Sequence, residues 1–290
     1  MPLRYNTLPD KEIEQAIRIA IEEDFGTSGD VTSKAVIGSG ITMHAQMLAK
    51  SPGVIAGLTV AEQTFKHLDQ NIIFTPLVSE GDFVEAGARI AEVSGDARAV
   101  LGAERTALNF VQHLSGIATE TRTYKKEIEG YKAQLLDTRK TTPGLRYLEK
   151  YAARVGGAVN HRYGLFDQFL IKDNHIKAAG GIGEAVRRAR GYNQDLKVEV
   201  EAETLDEVKE ALEAGADIIL LDNMDIILLK ESVALIGDKA LTEASGGVTL
   251  ATIAAVAATG VDRISVGAIT QAAKPLDISL DVTDGSKADE

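Results

Sequence analysis

The chain has 290 residues, 44% hydrophobic and 26% charged, enough apolar content to fill the core of one α/β barrel or two modest domains. Its formal charge of −12 disfavours nonspecific nucleic-acid or anionic-membrane binding, both of which need an extended basic surface. With no cysteines, disulfide and thiolate chemistry are excluded, and the most apolar run, "IILLDNMDIILL", is broken by Asp222 and Asp225 before it could span a bilayer.

From the N-terminus, residues 10–24 place Ile13, Ile17, Ala20 and Ile21 on one face of an amphipathic helix. The acidic residues among them argue against a signal peptide and for a cytoplasmic protein. "FGTSGDVTS" breaks this helix. From about 41 to 101 the pattern becomes short strands and turns: "ITMHAQMLA", "GVIAG", "IIFTPLV" and "GARIAEVSG". Within it, "EGDFVEAGARIAEVSGDA" has the strand–turn–strand form of hammerhead or barrel-sandwich modules. "GAERTALNFVQHLSGIATETRTY" then reads as a long helix leaving this first region.

In the second half, apolar β-like runs end at "LLDT", "AVNH", "FLIK", "VEVEA", "IILLDN", "LTEASGG" and "RISVGA". Most are separated by helical stretches such as "TLDEVKEALEAGA", with Thr204 and Glu207 as a capping box and Gly215 as a stop. Repeated strand–helix units imply a parallel sheet, and seven of them an incomplete barrel. The expected fold is therefore α/β: a seven-stranded incomplete barrel at 116–274 and an N-terminal α+β hammerhead- or sandwich-like domain at 1–115. A final strand at 275–283 joins the latter, and the tail "DGSKADE" is expected to fray.

Working residues of parallel α/β barrels lie at the C-terminal strand ends. Here those ends carry Arg139 and Lys140, His161 and Arg162, Lys172, Glu201, Asp222, Ser245-Gly246-Gly247 and Gly267. Between 137 and 177 eight Arg/Lys face four Asp/Glu, a basic island in an acidic chain. Arg146, Lys150 and Arg154 read as solvated cations on a helix face. Arg139, Arg162 and Lys172 either form structural salt bridges or, converging on one barrel mouth, an anion site. Glu201 and Asp222 either pair with these cations or hold Mg²⁺ and stabilise developing positive charge. Ser245-Gly246-Gly247, read as lying directly before a helix, is either a plain connection or an anion cradle. His175 is open to either reading, while His44, His67 and His113 are ordinary core or surface residues. No spacing suggests zinc.

The block "DTRKTTPGLRYLEKYAARVGGAVNHRYGLFDQFLIKDNHI", with "EVEAE", "ILLDNM", "EASGG" and "ISVGAIT", closely resembles the quinolinate phosphoribosyltransferases, and the likeness runs from "EEDFGTSGDVTS" to about residue 280. That resemblance implies transfer of phosphoribosyl from phosphoribosyl pyrophosphate to quinolinate, with loss of CO₂ and pyrophosphate and with Mg²⁺, in NAD biosynthesis. It implies that Arg139, Arg162 and Lys172, with His161 nearby and Thr138 adding a polar contact, bind the diacid. Lys140 would face the pyrophosphate. Glu201 and Asp222 would serve the ribose hydroxyls and Mg²⁺, and Ser245, Gly246, Gly247, Val266, Gly267 and Ala268 the 5′-phosphate region. Arg105 resembles an arginine that the family inserts into the neighbouring subunit's site, implying a homodimer or a higher homo-oligomer. Two rivals remain at this point. One is a transferase for the monoacid nicotinate or another acid, which the number of cations disfavours. The other is a noncatalytic carrier, for which Lys50 in "LAKSPG" lacks the expected flanking residues.

Overall fold

The recurrence of Ile13, Ala16, Ile17 and Ile21 winds Asp10–Phe25 into α1, with that stripe buried. The computed structural model describes residues 8–283, so the tail 284–290 lies outside the described residues. Asp30 then caps a one-and-a-half-turn helix, α2 (Val31–Val36), its carboxylate accepting the Ser33 N–H at 2.9 Å. The strand-rich stretch supplies β1 (Thr42–Ala49), β2 (Gly53–Val54), β3 (Ile73–Pro76), β4 (Phe83–Val84) and β5 (Arg89–Asp96). It also contains a helix that the alternation reading passed over, α3 (Leu58–Leu68), between β2 and β3. Leu58, Ala61 and Phe65 recur at helical spacing there and are buried, and this 3.6-residue period outweighs the surrounding two-residue one.

The long helix is longer than the sequence suggested, running as α4 over Ala97–Glu127. After it come β6 (Gln134–Leu136), α5 (Arg146–Gly156), β7 (Phe169–Ile171), α6 (Asp173–Ala179), α7 (Ile182–Tyr192) and β8 (Val198–Ala202). Next are α8 (Leu205–Glu213), β9 (Ile218–Asp222), α9 (Ile226–Ile236), β10 (Leu241–Ser245), α10 (Ile253–Ala257), β11 (Arg263–Ser265), α11 (Ala268–Gln271) and β12 (Ile278–Thr283).

The described residues divide into two compact units. The first comprises 8–122, 142–156 and 273–283, and the second 123–141 and 157–272. Beside the boundaries read from the sequence, residues 116–122 of α4, the segment 142–156 that holds α5, and 273–274 cluster with the first unit and not with the barrel. In that unit an antiparallel sheet runs β12–β1–β5–β3, with Met47, Phe65, Ile90, Val93, Val100 and Val111 in its core. Helix α5 lies so close to α4 that a Cβ on Gly156 would stand 2.5 Å from the Ala118 carbonyl oxygen. This proximity corrects the reading of Lys150, which is 0% exposed rather than a solvated surface cation.

In the second unit the parallel sheet runs β6–β11–β10–β9–β8–β7. The seventh apolar run, "AVNH", contributes a single parallel bridge from Val159 to Leu136 at the β6 edge. Together these make the incomplete α/β barrel. Strands such as Val198–Ala202 are buried at every position, as expected of a sheet covered on both sides.

Candidate active site

The C-terminal ends of the second unit's strands surround a cavity of about 480 Å³. Thr138, Arg139 and Lys140 reach it from the turn after β6, His161 and Arg162 from the segment after Val159, and Lys172 from the end of β7. Ser245, Gly246 and Gly247 come from the end of β10, and Val266, Gly267 and Ala268 from the end of β11. Leu170 and Leu220 give the cavity apolar walls between these polar groups.

The cations are arranged for a ligand with negative charge. Nε of Arg139 and Nε of Arg162 are buried with no hydrogen-bond partner, and a donor so placed suits an incoming carboxylate. Burial, and then the neighbouring charge of Arg139, hold the Arg162 guanidinium below the usual arginine range. An anion between the two guanidinium groups relieves both effects. Arg162 Nη1 is steadied by the Gln168 carbonyl at 3.1 Å. Thr138 spends its hydroxyl oxygen on the Lys140 N–H at 3.0 Å and retains its own O–H to donate.

His161 turns both ring nitrogens toward the protein. Nδ1 accepts the Arg162 backbone N–H at 2.7 Å, so the ring proton sits on Nε2, 3.3 Å from both Glu199 Oε2 and Glu243 Oε1. Burial opposes charge on this imidazole while Glu199 and Glu243 draw a proton toward it, and with the Arg162 N–H pointed at Nδ1 the ring has room for one proton alone, on Nε2. Glu199 is itself raised, by burial first and then by the charge of Glu243. With Nδ1 occupied, the cluster's proton is shared between Nε2 and the carboxylates. The His161 backbone is pinned too, its N–H donating to Oδ1 of the buried Asp137 at 2.8 Å.

Glu201 and Asp222 are not among the cavity's lining residues. Glu201 accepts a 3.0 Å bond from Lys172 Nζ, so the salt-bridge reading of this pair holds in the geometry. Oxygens of Glu201, Glu203 and Asp222 nevertheless lie within 4.8 Å of one another, a donor set of hard oxygens that fits Mg²⁺.

Two glycines shape the opposite wall. Gly246 has φ +89, and a Cβ there would overlap Oδ1 of Asn223, whose N–H donates to the Ser245 carbonyl at 2.9 Å. Gly267 has ordinary φ and ψ, but a Cβ would stand 2.8 Å from Cδ of Lys140. One expectation needs correction: no helix begins directly after Gly247. A turn in which Thr249 N–H meets Thr252 Oγ1 at 2.9 Å intervenes, and α10 starts only at Ile253. Any anion cradle here is made by the loop's own N–H groups.

Comparison with known proteins decides the family. Residues 30–115 match the model of the quinolinate phosphoribosyl transferase N-terminal domain, and residues 117–281 that of the C-terminal domain. The chloroplastic nicotinate-nucleotide pyrophosphorylase [carboxylating] of Arabidopsis thaliana is 43% identical over 94% of this chain and 84% of its own length. The probable nicotinate-nucleotide pyrophosphorylase [carboxylating] of Bacillus subtilis is 45% identical over 90% of each chain. A solved nicotinate-nucleotide pyrophosphorylase from Francisella tularensis superposes with a TM-score of 0.92 at 44% identity, covering 96% of this chain and 98% of that one. The chain belongs to the quinolinate phosphoribosyltransferase family.

In this member of the quinolinate phosphoribosyltransferases, Arg105 belongs to the first unit and the other candidates to the second. It is exposed on α4 and lines a different cavity, of about 560 Å³, lying wholly within the first unit with Glu12, Asp24, His113 and Thr142. His113 is half-buried, its Nε2 meeting the buried Glu149 at 2.9 Å, and Glu149 also accepts the Thr142 N–H at 3.1 Å. His175 closes the start of α6, its Nδ1 accepting the Lys172 N–H at 3.0 Å. The reading of strand ends missed Glu199, Glu243, Glu203, Gln168, Leu170 and Leu220. For Glu199 a signal existed: it sits two residues before Glu201 in "VEVEA" and so shares its face of the strand.

Proposed function

We infer that this chain is a quinolinate phosphoribosyltransferase, converting quinolinate and phosphoribosyl pyrophosphate to nicotinate mononucleotide, CO₂ and pyrophosphate in NAD biosynthesis. The observation that carries the reading is the gathering of Arg139, Lys140, Arg162 and Lys172 around one cavity, with two guanidinium Nε atoms buried and unpartnered. Arg139, Arg162 and Lys172 hold the two carboxylates of quinolinate, its ring lying against Leu170 and Leu220. His161, with both nitrogens engaged, forms the floor rather than a donor to the acid. Ser245, Gly246, Gly247, Val266, Gly267 and Ala268 receive the 5′-phosphate, and Lys140 the pyrophosphate.

The pyridine nitrogen attacks ribose C1 as the C1–O bond to pyrophosphate breaks, and positive charge builds on the ribose. Glu201 and Asp222 stabilise that charge and hold the ribose hydroxyls, while Lys140 stabilises the departing anion. The positively charged pyridinium then accepts the electron pair of the C2–carboxylate bond, CO₂ leaves, and a proton replaces it at C2. Glu201 and Asp222, joined by Glu203, would hold Mg²⁺. When bound, the ion offsets the charge of the pyrophosphate.

Arg105, exposed in the first unit at a cavity other than the cationic one, is assigned to the site of a partner subunit in a homodimer. A cytoplasmic location belongs to the same reading; no described helix is long and apolar enough to cross a membrane. The test is incubation with quinolinate, phosphoribosyl pyrophosphate and Mg²⁺. Formation of nicotinate mononucleotide with one CO₂ per turnover is expected; a folded sample that makes the nucleotide only from nicotinate, without CO₂, refutes the assignment.

A further inference from the structure

Glu199 and Glu243 have no part in the reaction as derived, yet both are 0% exposed beneath a cavity rich in cations. Burying a carboxylate is costly unless donors surround it, so the donors reveal what it does. Oε2 of Glu199 takes two: Gln168 Nε2 at 2.6 Å and His161 Nε2 at 3.3 Å. Gln168 in turn gives its backbone carbonyl to Arg162 Nη1 at 3.1 Å. A single carboxylate oxygen therefore connects the His161 imidazole and, through Gln168, the Arg162 guanidinium.

The sheet register brings these groups together. Leu170 lies opposite Glu199 in the β7–β8 ladder, and the Phe169 N–H donates to the Lys197 carbonyl at 3.0 Å. Gln168 thus enters β7 beside the start of β8. Two residues beyond Glu199, on the same face of the strand, Glu201 takes Lys172. One strand seats three of the cavity's basic side chains, two directly and one through Gln168.

We propose that Glu199 is a positioning residue for the acid subsite. It fixes His161 and, through Gln168, Arg162 in the orientation that receives the diacid, and Glu243 completes the seat of His161 from β10. The inference rests on the assignment of Arg162 to quinolinate made above. A metal held by His161, Glu199 and Glu243, whose ligand atoms lie within 4.8 Å of one another, is the competing use of these groups. The Arg162 N–H on Nδ1 excludes it, because Nε2 then carries the ring proton and has no lone pair to give.

The two links can be cut separately. Glu199→Leu removes both, Glu199→Gln keeps a carbonyl oxygen where Oε2 stands, and Gln168→Ala severs only the path to Arg162. Steady-state KM values for quinolinate and for phosphoribosyl pyrophosphate are measured on each variant, with Arg162→Ala as the reference. Losing one hydrogen bond of about 1 kcal/mol corresponds to roughly a fivefold change. Glu199→Leu and Gln168→Ala should raise the quinolinate KM by about that factor or more while the phosphoribosyl pyrophosphate KM stays within about twofold. Glu199→Gln should restore the parent value. If Glu199→Leu does not fold, the half-buried Gln168 carries the test alone. A rise in Arg162→Ala with no change in Gln168→Ala overturns this inference and leaves the site reading intact, as does an equal rise in both KM values for Gln168→Ala. An unchanged quinolinate KM in Arg162→Ala overturns the site reading itself.

Discussion

Gly267→Ala should separate folding from catalysis. At φ −69 and ψ −28 the position suits any residue, and glycine is required only because Lys140 passes so closely. A Cβ would lie 2.8 Å from Lys140 Cδ, whereas ordinary contact begins near 3.4 Å. The lysine must therefore shift at its middle, which moves Nζ farther still. The backbone term runs the other way: replacing glycine by alanine at a compatible position stabilises by about 0.4–1 kcal/mol. The thermal midpoint should accordingly stay close to the parent's. A stretched charge-assisted hydrogen bond from Lys140 costs about 1.5–3 kcal/mol, so kcat/KM for phosphoribosyl pyrophosphate should fall roughly ten- to hundredfold. Lys140→Ala should lose a similar amount, and the double variant little more, since both act on one interaction. A well-folded Gly267→Ala with parental kcat/KM would show that Lys140 does not work from this position.

Arg139→Ala should cut kcat/KM for quinolinate at least about tenfold, and Arg139→Lys should recover only part of it because an ammonium lacks the bidentate fork; parental kinetics in both remove Arg139 from the acid site. Glu201→Gln and Asp222→Asn should fold, turn over more slowly and respond less steeply to Mg²⁺, and unchanged Mg²⁺ titrations would dismiss them as ligands. Arg105→Ala and Lys172→Ala, each inactive alone, should recover about a quarter of parental activity when co-expressed. Random pairing makes about half the dimers hybrid with one intact site of two, and inactive purified hybrids would place Arg105 in its own chain's service or none. The ring of His161 should show a single tautomer in nitrogen NMR spectra, protonated at Nε2 and bare at Nδ1, because Nδ1 accepts the Arg162 N–H. A ring protonated at Nδ1 would mean that this seat of His161 is not formed.

What the sequence revealed was whatever depends on near neighbours. The apolar runs ending in "VEVEA", "IILLDN" and "LTEASGG" became β8, β9 and β10, and the Thr204–Glu207 capping box forms as read, with the Glu207 N–H donating to Thr204 Oγ1 at 3.2 Å. Strand ends were legible because an apolar run that stops at a charge marks where the barrel opens. Partners distant in sequence were not legible. Glu243 looks like any strand glutamate until His161, far earlier in the chain, is brought against it. Lys150 looked solvated because a helix buried on more than one side carries no local mark of that. The gap between Gly247 and α10 depended on a threonine turn whose residues also suit a helix start.

The seam of the barrel has a consequence for how the acid subsite behaves and changes. Between the bridge at Val159 and the first residue of β7, four successive N–H groups are closed by side chains in place of ladder carbonyls. His161 donates to Asp137, Arg162 to the His161 ring, and Tyr163 and Gly164 to Asp167 at 2.7 and 2.9 Å. Because side chains rather than a ladder set its conformation, the stretch can change without shifting the register of any strand, provided Asp137, Glu199 and Glu243 are kept. This open edge is a place where recognition of the acid can change while the strands stay fixed.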